Sequence, residues 1–358
     1  MSWYLCVAKL IFTVYLFVKL IFMRVYLTTR RFIMKEIKWA VLGTGVIANE
    51  MAQALIKNGK NIYSVANRTH QKAVDFAQKY NIGKVYDNMN DVFTDPEVDV
   101  VYITTPHNTH LEFMKKAIEN GKHILVEKSI TLNSNELNEA ISLAKEKGVI
   151  IGEAMTIFHM PIYKKLNEIL ESGALGKVNL ITMNFGSFKE YDMTNRFFNR
   201  NLAGGAMLDI GVYALSFIRW FMDSKPNNLV SQVKSAPTGV DEQAGLLLTN
   251  EEGQMASVML SLHSKQPKRG IVSCEKGYIE IMEYPRAWEA TITYTDSGKT
   301  ELIKAGENAD ALAYELADME KAINGDVDCM HFDYTKDVMD MMTEFRKSWG
   351  FKYPEEEK

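Results

Sequence analysis

The sequence predicts an α/β domain built on a doubly wound, largely parallel sheet, followed by an α+β domain with an open, mostly antiparallel sheet. Three observations carry this prediction. Apolar runs of strand length alternate with helical periodicities from Ile37 to Gly152. A glycine-rich turn, Gly43 to Ala48, separates the first run from the first helix. From Lys177 onward short strand-like pieces dominate instead.

Residues 37–42 form an apolar run that ends at Gly43, and helical spacing over Ile47–Ile56 then stops at Asn58-Gly59. Ile62–Ala66 reads as a strand and Gln71–Tyr80 as a helix. Val98–Thr104 is a further strand, His110–Asn120 a helix closed by Gly121, and His123–Val126 a strand. Glu136–Lys147 is a helix ending at Gly148, before a strand at Val149–Gly152. Parallel strands joined in this way need right-handed crossovers, which put helices on both faces of the sheet. The second domain begins near Thr156, where Pro161 suits the first turn of a helix carrying Ile162, Leu166, Ile169 and Leu170. Strands are expected at Val178–Phe185, Leu229–Ala236, Gln243–Leu248, Met255–Leu262, Gly270–Cys274, Gly277–Met282 and Ala290–Tyr294. Helical patterns over Ala311–Ile323 and Lys336–Trp349 close the chain.

With 358 residues, 47% of them hydrophobic and 24% charged, the chain can bury substantial cores. A formal charge of −4 gives no nucleic-acid footprint. Cys6, Cys274 and Cys329 are too few and too far apart for a disulfide framework or a zinc site, so a reducing, cytoplasmic location is expected. His331, near Cys329 and Asp333, reads as a loop residue, and no metal is expected. Asp241-Glu242, Glu251-Glu252 and Glu355–Glu357 read as solvated acidic positions. Residues 1–33 form an apolar extension interrupted by Lys9, Thr13, Lys19 and Arg24. The charges make it a poor membrane span, so it is expected to be an extension without a structural role; a membrane anchor with the rest of the chain on the cytoplasmic side is the alternative.

The chemistry starts at Gly43-Thr44-Gly45-Val46-Ile47-Ala48, which has G-x-G-x-x-A spacing between a strand and a helix. Gly43 permits the tight turn, Gly45 lets the backbone approach a pyrophosphate, and Ala48 allows close helix–strand packing. The helix N-terminus then faces the phosphates, as in a Rossmann domain. The bland reading is a pair of glycines that only shape a turn. A site for NAD commonly places Asp or Glu at the end of the second strand, whereas this chain reads Ala66-Asn67-Arg68-Thr69. Arg68 suits a ribose 2′-phosphate, with Asn67 beside it, so NADP is favoured and NAD left open; an exposed helix-start arginine is the competing reading. Thr105, Pro106 and His110 lie in a polar loop after the Val98–Thr104 strand, where this architecture places ligand contacts. His110 orients either a ribose or the loop itself. Glu127-Lys128-Ser129 sets two opposite charges directly after a buried strand.

Together with Glu153 and the run Gly204-Gly205-Ala206-Met207-Leu208-Asp209-Ile210-Gly211-Val212-Tyr213, these motifs resemble the glucose–fructose oxidoreductase/inositol dehydrogenase (Gfo/Idh/MocA) family over almost all of Lys35–Lys352. Tyr213 falls where one branch of that family has tyrosine, a branch resembling dihydrodiol dehydrogenases and NADP-dependent aldose dehydrogenases. The resemblance implies a dinucleotide-binding domain at 34–155, a substrate-binding and oligomerisation domain at 156–310, and helices at 311–358 that return toward the first domain. It also implies hydride transfer between NAD(P) and a hydroxyl carbon of a sugar, polyol or cyclic diol, in a homodimer or higher homo-oligomer. Lys128 matches the lysine of the family's Glu-Lys-Pro motif, and Ser129 replaces its proline. Lys128, Asp209 and Tyr213 are the expected catalytic group, with Asp209 and Tyr213 on one face of a helix. Tyr213 would exchange the hydroxyl proton and Lys128 would hold the hydroxyl and favour a phenolate. A phenol near pKa 10 needs about 4 kcal/mol of preferential stabilisation to act as a base at neutral pH. Two other readings fit the same fold: a non-catalytic sugar- or nucleotide-binding regulator, and a glycosidase assisted by transient NAD oxidation.

Overall fold

The computed structural model describes Lys19 and residues 36–357; the expectations for the 1–33 extension and Cys6 lie outside them. Six strands form the first sheet: β1 (Trp39–Leu42), β2 (Ile62–Ala66), β3 (Lys84–Val85), β4 (Val100–Ile103), β5 (His123–Glu127) and β6 (Ile151–Ala154). They run in the order β3-β2-β1-β4-β5-β6 and every pairing is parallel. All residues of β1 and β4 are buried, as expected where helices cover both faces. Helices α1 (Val46–Lys57), α2 (His70–Tyr80), α3 (Asp91–Thr94), α4 (His110–Glu119) and α5 (Ser134–Lys147) supply that cover. The order places the C-terminal ends of β1 and β4 side by side, with the glycine turn between them.

β6 starts two residues later than the sequence suggests. Gly148, at φ +66°, ends α5 in the left-handed region, and the Val149 N–H is used to close that helix on Ala144 O at 3.1 Å. Strand pairing can begin only beyond it. β3 and α3 were not expected; both are too short to show a period.

After α6 (Thr156–His159) and α7 (Pro161–Glu171), the second sheet assembles β7 (Val178–Gly186), β8 (Asn228–Ser235), β9 (Asp241–Thr249), β10 (Met255–Ser261), β11 (Gln266–Cys274), β12 (Gly277–Met282), β13 (Glu289–Tyr294) and β14 (Thr300–Lys304). The order is β14-β13-β12-β11-β7-β10-β9-β8, antiparallel except for β7 with β10. β14, an exposed edge strand, carries little apolar signal and was missed in the sequence. One face of this sheet packs on α8 (Val212–Phe221), whose Phe217, Ile218, Trp220 and Phe221 enter a large core with Tyr163 and Tyr284. Two last helices, α9 (Ala311–Ile323) and α10 (Phe332–Ser348), return to the first domain. Glu320 of α9 accepts from Trp39 Nε1 at 3.2 Å, and Thr335 of α10 donates to Glu153 at 2.9 Å.

Asp241-Glu242 is not the solvated pair expected, and of Glu355–Glu357 only Glu357 is exposed. Asp241 is 2% exposed and Glu242 1%. Asp241 accepts the Met207 N–H, and burial pushes its carboxyl up to about 7. Glu242 accepts from Lys234 at 2.9 Å and Tyr191 at 2.7 Å, which outweigh burial and hold it below the usual range. In the C-terminal tail, Glu356 pairs with buried Arg346 at 2.8 Å.

Candidate active site

At the glycine turn, the Gly43 N–H donates to Ala66 O at 2.8 Å, fastening the end of β1 to that of β2. Gly43 has φ +107°, and a Cβ there would meet Thr104 Oγ1 at 2.4 Å, so both backbone and space require glycine. A Cβ on Gly45 would meet nothing within 4 Å. That open space lies before the first N–H groups of α1, and it fits a dinucleotide pyrophosphate. Ala48 is fully buried, while Val46 is exposed and Ile47 half-buried. Asn67 Nδ2 donates to Thr44 Oγ1 at 2.8 Å and Asn67 Oδ1 accepts the Thr69 N–H, bracing the end of β2 against the glycine turn. Arg68 is exposed next to that brace.

The ends of β4 and β5 meet the second domain through paired contacts. Lys128 Nζ donates to Asp209 O at 2.8 Å, and its neighbour Ser129 Oγ donates to Leu208 O at 3.0 Å. The two adjoining carbonyls of this loop are also taken: His107 Nε2 lies 3.0 Å from Lys128 O and His110 Nδ1 3.0 Å from Ser129 O. Consecutive residues thus grip consecutive carbonyls of the second domain, while two histidines hold them from behind. The serine hydroxyl supplies a bond that a proline could not make, and the Lys128–Ser129 peptide is cis. His110 is fully buried with Ser129 O 3.0 Å from Nδ1 and Thr105 O 2.8 Å from Nε2; burial lowers its pKa, so the neutral ring has one N–H to give to one of these loop carbonyls. Thr105 Oγ1 accepts from Thr109 at 2.7 Å, and Pro106 is exposed at the bend.

Asp209 lies in a π-helical turn, Met207–Gly211, and Tyr213 in α8 immediately after it, rather than both in one α-helix. Lys128 reaches both. Its Nζ is 3.7 Å from Asp209 Oδ1 and 4.9 Å from the centre of the Tyr213 ring. The ammonium therefore lies over the ring that carries the phenol. Burial, reinforced by Glu127, pushes the Tyr213 phenol far above its ordinary value and keeps it neutral. Glu127 accepts from the Tyr102 hydroxyl, and burial raises its carboxyl. Asp209 is held below the usual range: burial opposes, but Lys128 and Arg196 prevail. His107 is pushed down to about 3 by burial, then by His110 and Lys128, so it is a neutral ring. Glu153 accepts from Ile130 N at 3.0 Å, and burial pushes it up to about 7.

The structure adds residues that the motifs did not show. Arg196 Nη2 is 3.4 Å from Asp209 Oδ1. Arg286 pairs with Glu50 of α1 at 2.8 Å, joining the second domain to the helix behind the glycine turn. Glu315 of α9 is 0% exposed, and neither of its carboxylate oxygens has a hydrogen-bond partner among the described residues. Burial, then Glu127, push it strongly toward the protonated acid. His107 stood inside a quoted motif but carried no distinguishing signal, whereas Ser129 stood out only as the replacement of a proline. A cavity of about 920 Å³ lined by Arg200, Arg346 and Glu356 lies elsewhere and contains none of the expected site residues; the convergence of Lys128, Asp209 and Tyr213 marks the site better than cavity size. Among the described residues no group of His, Cys, Asp and Glu could hold a metal ion.

Comparison with known proteins places the chain in a family and a fold. The model of an oxidoreductase family with an NAD-binding Rossmann fold, GFO_IDH_MocA, matches residues 37–155, and that of the GFO/IDH/MocA C-terminal domain matches residues 163–280. Trans-1,2-dihydrobenzene-1,2-diol dehydrogenase of Xenopus laevis is 30% identical over 267 residues, 74% of this chain and 80% of the relative. The enzyme of the same name from Mus musculus is 29% identical over 303 residues, 83% of this chain and 86% of the relative. Levoglucosan dehydrogenase in complex with NADH and levoglucosan superposes with a TM-score of 0.78 at 16% identity, covering 89% of this chain and all of that one (100%). KijD10, a 3-ketoreductase from Actinomadura kijaniata in complex with NADP and TDP-benzene, gives 0.76 at 20% identity over 87% of this chain and 96% of that one. At these identities the two structures speak for the fold alone.

Proposed function

The chain belongs to the GFO/IDH/MocA oxidoreductase family, and from that premise we propose that it transfers hydride between a nicotinamide cofactor and a hydroxyl-bearing carbon of a sugar, polyol or cyclic diol. The observation that carries this reading is the convergence of Lys128, at the end of β5 in the sheet whose β1 ends in the open glycine turn, with Tyr213 of the second domain. Gly43 to Ala48 would hold the pyrophosphate, and Asn67 and Arg68 the adenosine ribose. When bound, the nicotinamide supplies or takes up the hydride.

The chain's own residues manage the proton and the oxygen. Lys128 exchanges its bond to Asp209 O for one to the reacting oxygen, and its charge stabilises the developing alkoxide. Tyr213, held neutral by burial, donates its proton when a carbonyl is reduced; in the oxidation direction it first loses that proton to solvent and then, as phenolate, accepts the proton of the alcohol. Asp209 anchors Lys128 from the second domain, so the amine is aimed from both sides of the cleft. The test is a cofactor-resolved screen of aldoses, inositols and vicinal diols in both directions. Substrate-dependent formation or consumption of NADPH or NADH supports the reading. Tight ligand binding without redox turnover would favour a regulator, and glycosidic cleavage with the cofactor returned unchanged would favour the NAD-assisted glycosidase.

NADP is proposed as the preferred cofactor because Arg68 is exposed beside the Asn67–Thr44 brace, and β2 ends without the acidic residue that would hold a ribose diol. Arg68→Asp is expected to weaken NADPH binding by about 10- to 100-fold, the worth of a charge-assisted hydrogen bond, and NADH binding far less. Equal losses in fluorescence titrations with the two cofactors would remove Arg68 from selectivity.

A homodimer is proposed through the open face of the second sheet. Val230 pairs with Leu247, Leu247 with Ser257, and Met255 with Leu180, so the register puts Val230, Leu247, Met255, Met259 and Leu180 on one face. All of these apolar side chains are exposed, with Val230 and Met259 at 57%. The doubly substituted Leu247→Glu, Met259→Glu chain is expected to run as a monomer in light scattering where the parent is a dimer; an unchanged mass would move the interface elsewhere.

A further inference from the structure

The surroundings of Asp209 carry more positive charge than hydride transfer requires. Lys189, in the segment after β7, places its Nζ 4.2 Å from the centre of the Phe197 ring, and the Arg196 guanidinium lies 4.1 Å from the same centre. One aromatic ring therefore holds two cations. Phe197 is itself fixed to the site, because its carbonyl accepts the Gly205 N–H at 3.0 Å, just before the π-helical turn. Arg196 then reaches Asp209 Oδ1 at 3.4 Å, the same oxygen that Lys128 approaches at 3.7 Å. Asp209 is the one carboxylate these cations share, and among the described residues no carboxylate pairs with Lys189. The groups acting on Lys189 agree with this. Burial disfavours its charge, Arg196, Lys128 and Lys265 add repulsion, and Asp209 alone opposes them.

This surplus is local. The whole chain has a formal charge of −4, so composition does not explain a cationic pocket. Lys189 is half-buried and Arg196 is exposed at the rim; like charges held near each other repel even when partly screened, and an anion entering between them relieves the repulsion. Lys128 and Asp209 meet the needs of hydride transfer without Lys189. Next to the cations, the exposed rings of Phe188 and Tyr191 pack on His263 at 5.2 and 4.6 Å, giving an apolar wall suited to a carbon skeleton.

We propose that the substrate is an anionic sugar or polyol, with its carboxylate or phosphate between Lys189 and Arg196 and its reacting hydroxyl at Lys128. The inference rests on the dehydrogenase reading and narrows its substrate class. The experiment compares matched pairs on the purified full-length protein loaded with NADP(H): glucose with glucuronate, glucose with glucose 6-phosphate, and myo-inositol with its monophosphate. Both kcat/KM and equilibrium binding are measured, and the carboxylate and phosphate arms separate the two kinds of anion. At least one anionic member is expected to exceed its neutral partner by tenfold or more in both readouts. That ratio is expected to fall at least tenfold in Lys189→Met and in Arg196→Met, and to shrink with added salt. Ratios near one, or ratios that neither substitution changes, would overturn the proposal. A loss of NADPH affinity in both variants with the ratio intact would overturn it too, by assigning the cations to the cofactor. Anion-selective binding without turnover keeps the pocket and defeats the dehydrogenase reading, whereas turnover of neutral members alone does the reverse.

Discussion

Lys128→Met is expected to lower the single-turnover rate of hydride transfer by about a thousandfold, within the range seen when a positioned proton-handling group is removed. The expectation follows from what the amine touches. It is mostly buried, it donates to Asp209 O, and it lies over the Tyr213 ring, so it is the one side chain in contact with both other members of the group. Methionine keeps the apolar stem and removes the charge. The structural penalty is modest: one backbone carbonyl loses a donor, which costs about 1–3 kcal/mol. Ser129 still ties the same loop to Leu208, and His107 and His110 still hold its carbonyls, so the loop keeps its place. Stopped-flow traces with saturating cofactor separate the two effects. A rate within threefold of the parent, with cofactor binding retained, would remove Lys128 from the chemistry.

The parts of this site that the sequence makes legible are those written in local pattern. The glycine turn is readable because Gly43 and Gly45 fall between a buried apolar run and a helical period, both set by neighbouring residues. Lys128 is readable because a charged residue at the end of a buried strand is itself a local anomaly. Arg196 and Lys189 sit in a stretch with no period, and only Phe197, fastened to Gly205, brings them to Asp209. Asp241 and Glu242 look solvated because adjacent acids usually are, yet their partners include Met207 and Tyr191, both distant in sequence, beside the nearer Lys234. Glu315 lies in an ordinary helical period, and nothing nearby in sequence announces that its carboxyl will be enclosed beside Glu127. Spacing places Asp209 near Tyr213, but it cannot reveal the π-helical turn between them.

Tyr213→Phe is expected to slow carbonyl reduction at neutral pH by about a hundredfold, equivalent to about 2.7 kcal/mol of lost transition-state stabilisation. The phenyl ring keeps the packing: it can still lie against Phe185, whose centre is 6.3 Å away, and under the Lys128 ammonium. Only the proton is removed. The direction of the phenol's shift sets the pH dependence. Burial and Glu127 hold it neutral across the physiological range, so it is always charged with a proton to give, and reduction should show no loss from this group between about pH 6 and 9. Oxidation runs the other way. A neutral phenol must first release its proton before it can accept one from the alcohol, so the parent's oxidation rate should climb as pH rises, and Tyr213→Phe should abolish that climb. Matched pH profiles in the two directions test both halves together. If the phenylalanine variant keeps the parent's rates and profiles, the proton passes through Lys128 alone, and the buried phenol serves only to seat the amine above its ring.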